Sequence, residues 1–153
     1  MKGWLRGIAL VATVAATNAW ADNDGQERAS NLIATDTQYR HAWQEAVRKE
    51  ERLPDWVLNL SGASSPMTAV TEDGEKYLVG PVCERADDCL HNRVLVAFSW
   101  NKAKAYALWV KVPTALPEDK TPSRHADYRW LGSPDEGIQA MLTEQLKSEP
   151  GWY

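Results

Sequence analysis

The sequence predicts an α+β domain: a central antiparallel β-sheet of about five strands, flanked by an N-terminal and a C-terminal helix. Two observations carry this. Apolar residues recur at helical three- and four-residue steps near both ends of the chain, whereas the middle holds short β-prone runs divided by turn signals. The resulting order α-β-β-β-β-β-α has short links throughout. With 153 residues, 44% hydrophobic and 25% charged, the chain is near the globular average, which argues against disorder or a fibrous fold. It holds one domain, because two cores would not fit.

The first 21 residues read as an export leader. Lys2 and Arg6 give a cationic start, Gly7 to Ala16 is apolar, and Ala19-Trp20-Ala21 stands before Asp22 as a cleavage site. An apolar run of about 10 residues is half of the roughly 20 needed to span a bilayer. No cysteine follows it to carry a lipid, so no membrane anchor is expected. The expected product is a periplasmic or secreted bacterial protein of one domain, residues 22–153.

Asp22 to Ala34 is polar and reads as a lead-in. A helix is expected from Asp36, its N-cap, because Tyr39, Ala42, Trp43, Ala46 and Val47 share one face; Pro54 should stop it after Leu53. A short apolar piece, Trp56 to Leu58, and a loop at Gly62 to Pro66 follow. Met67 to Thr71 and Lys76 to Val82 should form a hairpin around Asp73-Gly74, the strongest short-range turn signal in the chain. Arg93 to Trp100 and Ala105 to Val112 make the next pair. The second run alternates as a strand with one buried face, which would leave Trp109 exposed. Pro113 to Arg124 reads as a loop, and Asp127 to Leu131 as the last strand. Ser133 is the expected cap of a helix with Pro134 at its first position and Glu136 closing a capping box. Its stripe is Ile138, Met141, Leu142 and Leu146, with Pro150-Gly151 as its end.

The chain carries 17 basic and 21 acidic residues; without Lys2 and Arg6 of the leader, 15 basic residues face 21 acidic ones, a formal charge of −6. An acidic domain does not bind nucleic acid through phosphate neutralisation. Any charged partner should be basic.

Enzymatic chemistry lacks its usual residues, and neither catalysis nor a cofactor or metal is expected. His41 and Glu45 share a helix face but have no third ligand. His125 and Asp127 lie near Ser123 without a nucleophile elbow. Asp87 and Asp88 are adjacent in a small ring, where two carboxylates rarely face one substrate. Six tryptophans follow the leader beside a single phenylalanine, Phe98. Trp43, Trp56 and Trp130 are expected to fill the core, whereas an exposed tryptophan would offer an anchor for a partner or a platform for a sugar.

The two cysteines, Cys83 and Cys89, should pair in an oxidising compartment. Closing so small a ring stabilises by only roughly 2 kcal/mol, so its main effect is to stiffen the loop between its ends. The spacing is neither a C-x-x-C redox motif nor half of a zinc site.

That loop and its flanks resemble a known family. Leu53-Pro54-Asp55-Trp56-Val57, the stretch from Tyr77 to Cys89 leading into Arg93 to Trp100, Trp130-Leu131-Gly132, the final helix and Pro150-Gly151 are similar to the inhibitors of vertebrate lysozyme (Ivy). The resemblance covers most of residues 22–153. It implies a periplasmic protein of a Gram-negative bacterium that protects peptidoglycan by plugging the active-site cleft of c-type lysozyme. The family loop is Cys-Lys-Pro-His-Asp-Cys, whose histidine meets the catalytic Glu and Asp. Here the loop is Cys83-Glu84-Arg85-Ala86-Asp87-Asp88-Cys89, with one residue more inside the ring. Cys83, Asp88 and Cys89 carry over; the proline and histidine do not, and His91 stands outside. Arg85 is then the cation to offer to cleft carboxylates. The expected partner is c-type lysozyme or a bacterial lytic transglycosylase, with homodimerisation left open. The second class is a periplasmic module on the same fold that binds a glycan or small ligand through an exposed tryptophan.

Overall fold

A computed structural model describes residues 27–116, 121–149 and Trp152. The expected leader and Pro150-Gly151 lie outside these residues. The fold is α+β, built on one antiparallel sheet of six strands: β1 (Ala63–Ser64), β2 (Thr68–Glu72), β3 (Glu75–Cys83), β4 (Asn92–Ser99), β5 (Ala105–Lys111) and β6 (Asp127–Leu131). β1 and β2 both pair with β3, one beyond the other, so they form a single interrupted edge with Pro66 in the gap. Inward from that edge the order is β3, β4, β5 and β6. The expected hairpin is present: Asp73 and Gly74 have φ of 50° and 77°, the left-handed pair that a tight two-residue turn needs.

Helices cover both faces of the sheet. On one lie α1 (Ala29–Thr35), α2 (Thr37–Val47) and α3 (Asp55–Leu58), packed on Val94, Val96, Phe98 and Trp109. On the other lies α5 (Glu136–Lys147), whose Ile138, Met141, Leu142 and Leu146 meet Leu95, Ala97, Leu108 and Val110. A fourth helix, α4 (Pro122–His125), is a single turn before β6. Strand β4 is therefore buried on both sides along almost its whole length.

This double cover corrects the expectation for Trp109. The alternation of β5 suggested one wet face; instead Ala105, Ala107 and Trp109 pack under the N-terminal helices, and Trp109 is 5% exposed. Among the described residues the exposed tryptophan is Trp100, at 53%. Trp43 is buried, its indole N–H donating to the Val57 and Leu58 carbonyls at 3.1 and 2.9 Å. Trp56 and Trp130 are half-buried against the two cores.

Three other expectations shift. The polar lead-in contains α1, held by Ala29, Leu32 and Ile33, which are buried at i, i+3 and i+4. The next helix starts at its expected cap, the Asp36 carboxylate accepting from the Gln38 N–H at 2.9 Å, but ends at Val47 rather than Leu53. Beyond it Arg129 reaches across to the Glu50 carboxylate (2.7 Å) and the Glu51 carbonyl (3.1 Å), and Arg52 turns left-handed with φ 60°. At the C-terminal helix the cap is Asp135, accepting from the Ile138 N–H at 2.9 Å, not Ser133. Gly132 and Ser133 both have positive φ and bend the chain sharply off β6, so helical geometry begins two residues late.

The turn between β4 and β5 is tied to the start of α2. Lys102, itself left-handed at φ 65°, places its ammonium 2.7 Å from the Asp36 carboxylate. The shared hydrogen bond pulls the Asp36 pKa down and pushes that of Lys102 up.

Candidate functional site

The cysteine loop is the connection between the central strands β3 and β4. The ladder ends with Cys83 opposite Arg93 and is extended by the Glu84 N–H donating to the Asn92 carbonyl at 3.1 Å. Cys83 and Cys89 are joined in a disulfide. Within the ring the Asp88 N–H donates to the Arg85 carbonyl at 3.1 Å, a turn that brings the tip back on itself.

The structure divides the seven expected site residues into a base and a tip. Glu84 belongs to the base, its carboxylate accepting from the Asn92 side-chain amide at 2.8 Å. The same Asn92 accepts from the Trp109 indole N–H at 2.8 Å, so the loop is hydrogen-bonded to a core tryptophan. Asp88 also turns inward, its carboxylate against the Nδ1 of His91. The His91 carbonyl in turn accepts from the Val112 N–H at 2.9 Å, which fixes the far side of the loop to the end of β5. Arg85, Ala86 and Asp87 remain as the exposed tip. There the Arg85 guanidinium lies 3.0 Å from the Asp87 carboxylate, with both side chains about 70% exposed. Arg85 is therefore already paired within the loop. An ion pair this wet is worth about 0–1 kcal/mol, so another carboxylate can take Asp87's place cheaply.

Two features beneath the base were not anticipated. Gly62 lies directly against Cys83: a Cβ there would sit 2.0 Å from the Cys83 carbonyl oxygen and 3.2 Å from the Trp56 ring. Arg93, opposite Cys83, is 3% exposed, with Nη1 3.6 Å from the Glu149 carboxylate and its guanidinium 5.0 Å from the Trp152 ring. Burial lowers its pKa, and Glu149 opposes that shift. This pair ties the root of the loop to the end of the chain. Asn92 could have been found from register alone, because pairing Cys83 with Arg93 sets Glu84 opposite Asn92. Gly62 carried no signal beyond that of an ordinary loop glycine.

The remaining candidates do not assemble into sites. Glu45 pairs with Arg48 at 3.4 Å rather than with His41. The Ser123 carbonyl, not its hydroxyl, is engaged, accepting from the Tyr128 phenol at 2.7 Å. Asp87 and Asp88 face different partners and form no carboxylate pair. Among the described residues no three His, Cys, Asp or Glu side chains stand close enough to hold a metal ion.

The disulfide should matter more to binding than to folding, because the base is also held by Asn92 and Val112. A Cys83→Ser, Cys89→Ser double variant is expected to keep its circular dichroism spectrum and lose about 2 kcal/mol of stability. Its affinity for any loop partner should fall further, since a mobile tip must be ordered on binding. Thermal melts and a binding titration on the same samples check this.

The described fold and loop can be set beside known proteins. The family model for the inhibitor of vertebrate lysozyme (Ivy) matches residues 38–148, a span that includes the whole sheet from β1 to β6 and the cysteine loop. An uncharacterised protein of Pseudomonas aeruginosa is 50% identical over 100% of this chain and 98% of its own length. The inhibitor of vertebrate lysozyme of the same species is 36% identical over 99% of both chains. An uncharacterised Yersinia pestis protein is 40% identical over 74% of this chain and 73% of its own. On these matches, the chain belongs to the inhibitor of vertebrate lysozyme (Ivy) family.

Proposed function

We propose that this protein is exported to the periplasm and inhibits a c-type lysozyme by seating the Cys83–Cys89 loop in the cleft of that muramidase. One observation carries the reading: a three-residue tip, Arg85-Ala86-Asp87, is exposed on a loop whose base is closed by the disulfide, by Glu84 on Asn92 and by Val112 on His91. A tip held in this way enters a cleft with little further ordering cost. The inhibitor with 36% identity supports the target class, and the leader-like residues 1–21 together with the disulfide support the compartment.

Within the cleft Arg85 exchanges Asp87 for the catalytic carboxylates. Water exclusion strengthens the new pair, but Asp87 is carried in alongside it and meets like charge. The two tip residues therefore have opposite expected effects. In peptidoglycan lysis by c-type lysozyme, Arg85→Ala should weaken inhibition about thirtyfold, roughly 2 kcal/mol, the low end for loss of a buried charged partner. Asp87→Asn should strengthen it severalfold. If both variants inhibit as the wild type does, the tip is not the contact. The same three proteins assayed against a bacterial lytic transglycosylase show which muramidase the loop favours.

Association should also depend on salt. Residues 22–153 carry a formal −6, and c-type lysozymes are basic, so attraction before contact speeds encounter. The screening length falls from about 30 Å to about 10 Å between 0.01 and 0.1 M salt. The association rate measured by stopped flow is expected to drop severalfold over that range, with a smaller change in the dissociation rate.

A further inference from the structure

At the opposite end of β4 from the cysteine loop, a groove of about 650 Å³ runs between the α1–α2 junction and the β2–β3 edge, with Trp100 on its wall. This lies in the size range of small-molecule sites. Trp100 is 53% exposed, which is costly for so large an apolar surface. Its exposure does not come from a loose turn. The Trp100 N–H donates to the Lys76 carbonyl at 3.0 Å, and the Ser99 hydroxyl, the Asn101 side chain and the Lys104 backbone close the turn around it. One face of the indole is covered by the Lys76 ammonium, 3.9 Å from the ring centroid. The turn is anchored across the groove by Lys102 on Asp36. The backbone that carries the indole is thus fixed at the wall of the groove.

The charges in the groove select the kind of ligand. Two cations, Lys76 and Lys102, are balanced by two carboxylates, Glu27 and Asp36, and Thr68 lines the same groove. An anion would meet the carboxylates, and a cation the ammonium groups. A lipid chain would take these polar groups out of water and offer none of them a partner. A neutral ring with hydroxyls on its edge and C–H groups on its face satisfies both the platform and the polar rim.

We propose that this groove binds an uncharged glycan, one sugar ring packing against the Trp100 indole while its hydroxyls bond to Asp36, Lys102 and Thr68. The site is independent of the inhibitory loop: the eight residues of β4 separate the two by about 26 Å. One molecule can then hold a glycan strand at one end and the enzyme that cuts it at the other.

The test uses the exported protein and two probes, an N-acetylglucosamine tetramer and cellotetraose. The Trp100 indole N–H resonance is identified by its loss in Trp100→Phe. Either sugar should shift that resonance saturably, with a dissociation constant on the order of 1 mM, while the Arg85 side-chain resonance stays in place. Trp100→Ala should weaken binding at least tenfold with an unchanged melting temperature, and Trp100→Phe should weaken it less. No shift with either sugar up to about 10 mM, or equal binding by Trp100→Ala, overturns the proposal. Neither result bears on lysozyme inhibition, which is read at the other end of the sheet.

Discussion

Replacing the five residues Glu84 to Asp88 with Lys-Pro-His-Asp should raise the affinity for c-type lysozyme on the order of a hundredfold, about 3 kcal/mol. The reason lies in how the present loop spends its charges. Arg85 is partnered by Asp87 at 3.0 Å, and on the proposed binding mode Asp87 would travel with it into a site that already holds carboxylates. Glu84 and Asp88, held at the base by Asn92 and His91, add two more acidic groups beside the tip. A shorter ring with a histidine between a proline and one aspartate removes two of the three acidic groups. It also presents a compact donor in place of a long cation. The graft gives up the Glu84 carboxylate's contact with Asn92, but the Trp109–Asn92 and Val112–His91 bonds that hold the base to β5 lie outside the exchanged segment. Inhibition of lysis, with binding measured by calorimetry, reads the outcome. A graft that folds, forms its disulfide and inhibits no better than the wild type would place the deficit outside the loop.

The largest loss of stability is expected from a single methyl group. Gly62→Ala would put a Cβ 2.0 Å from the Cys83 carbonyl oxygen, far inside van der Waals contact. Neither side can yield easily. Cys83 is paired with Ala63 on one side and with Arg93 on the other, and it is bonded to Cys89. Trp56 closes the remaining direction at 3.2 Å and is itself packed edge-on against Trp109. We expect a loss of about 3 kcal/mol and a fall in melting temperature of roughly 10 °C for a domain of this size. Gly74→Ala is the control. Its φ of 77° disfavours a side chain, but nothing lies within 4 Å of the added Cβ, so it should cost only about 1 kcal/mol. Equal melting temperatures for the two variants would mean that the Gly62–Cys83 approach relaxes freely. Since Cys83 is the root of the ring, Gly62→Ala should also weaken loop binding in whatever fraction remains folded.

Much of the fold was legible because local chemistry and tertiary structure agree. Asp73-Gly74 supplies the turn conformation that the hairpin needs, Asp36 caps α2, and the stripe from Ile138 to Leu146 faces the sheet as its spacing indicates. The departures arise where a distant residue decides. Arg129 on β6 takes hold of Glu50 and Glu51, which otherwise continue the helical pattern up to Leu53. Trp109 looked exposed because alternation in one strand does not reveal that helices cover both faces of the sheet. Trp100 looked like the end of an apolar strand, and only the turn after Ser99 puts it in solvent. At the loop, the cysteine pairing could be read from spacing, whereas Arg85 came into view as the loop's cation only through the family resemblance. The partition into base and tip could not, because it depends on Asn92 and Trp109 meeting across two strands.

The closed ring also governs what hydrolysis of the chain can do. Arg85 and Ala86 are exposed at the tip of the central hairpin, and an exposed loop tip with a basic residue is a natural point of proteolytic attack. Cleavage between them leaves two fragments still joined through Cys83 and Cys89. Strands β3 and β4 would stay aligned from Tyr77 opposite Ser99 to Cys83 opposite Arg93. The nick abolishes the ordered tip while sparing the scaffold that carries it. If the tip acts as proposed, a protease that cuts it would end inhibition without unfolding the molecule, and the nicked form would keep its groove at the far end of the sheet.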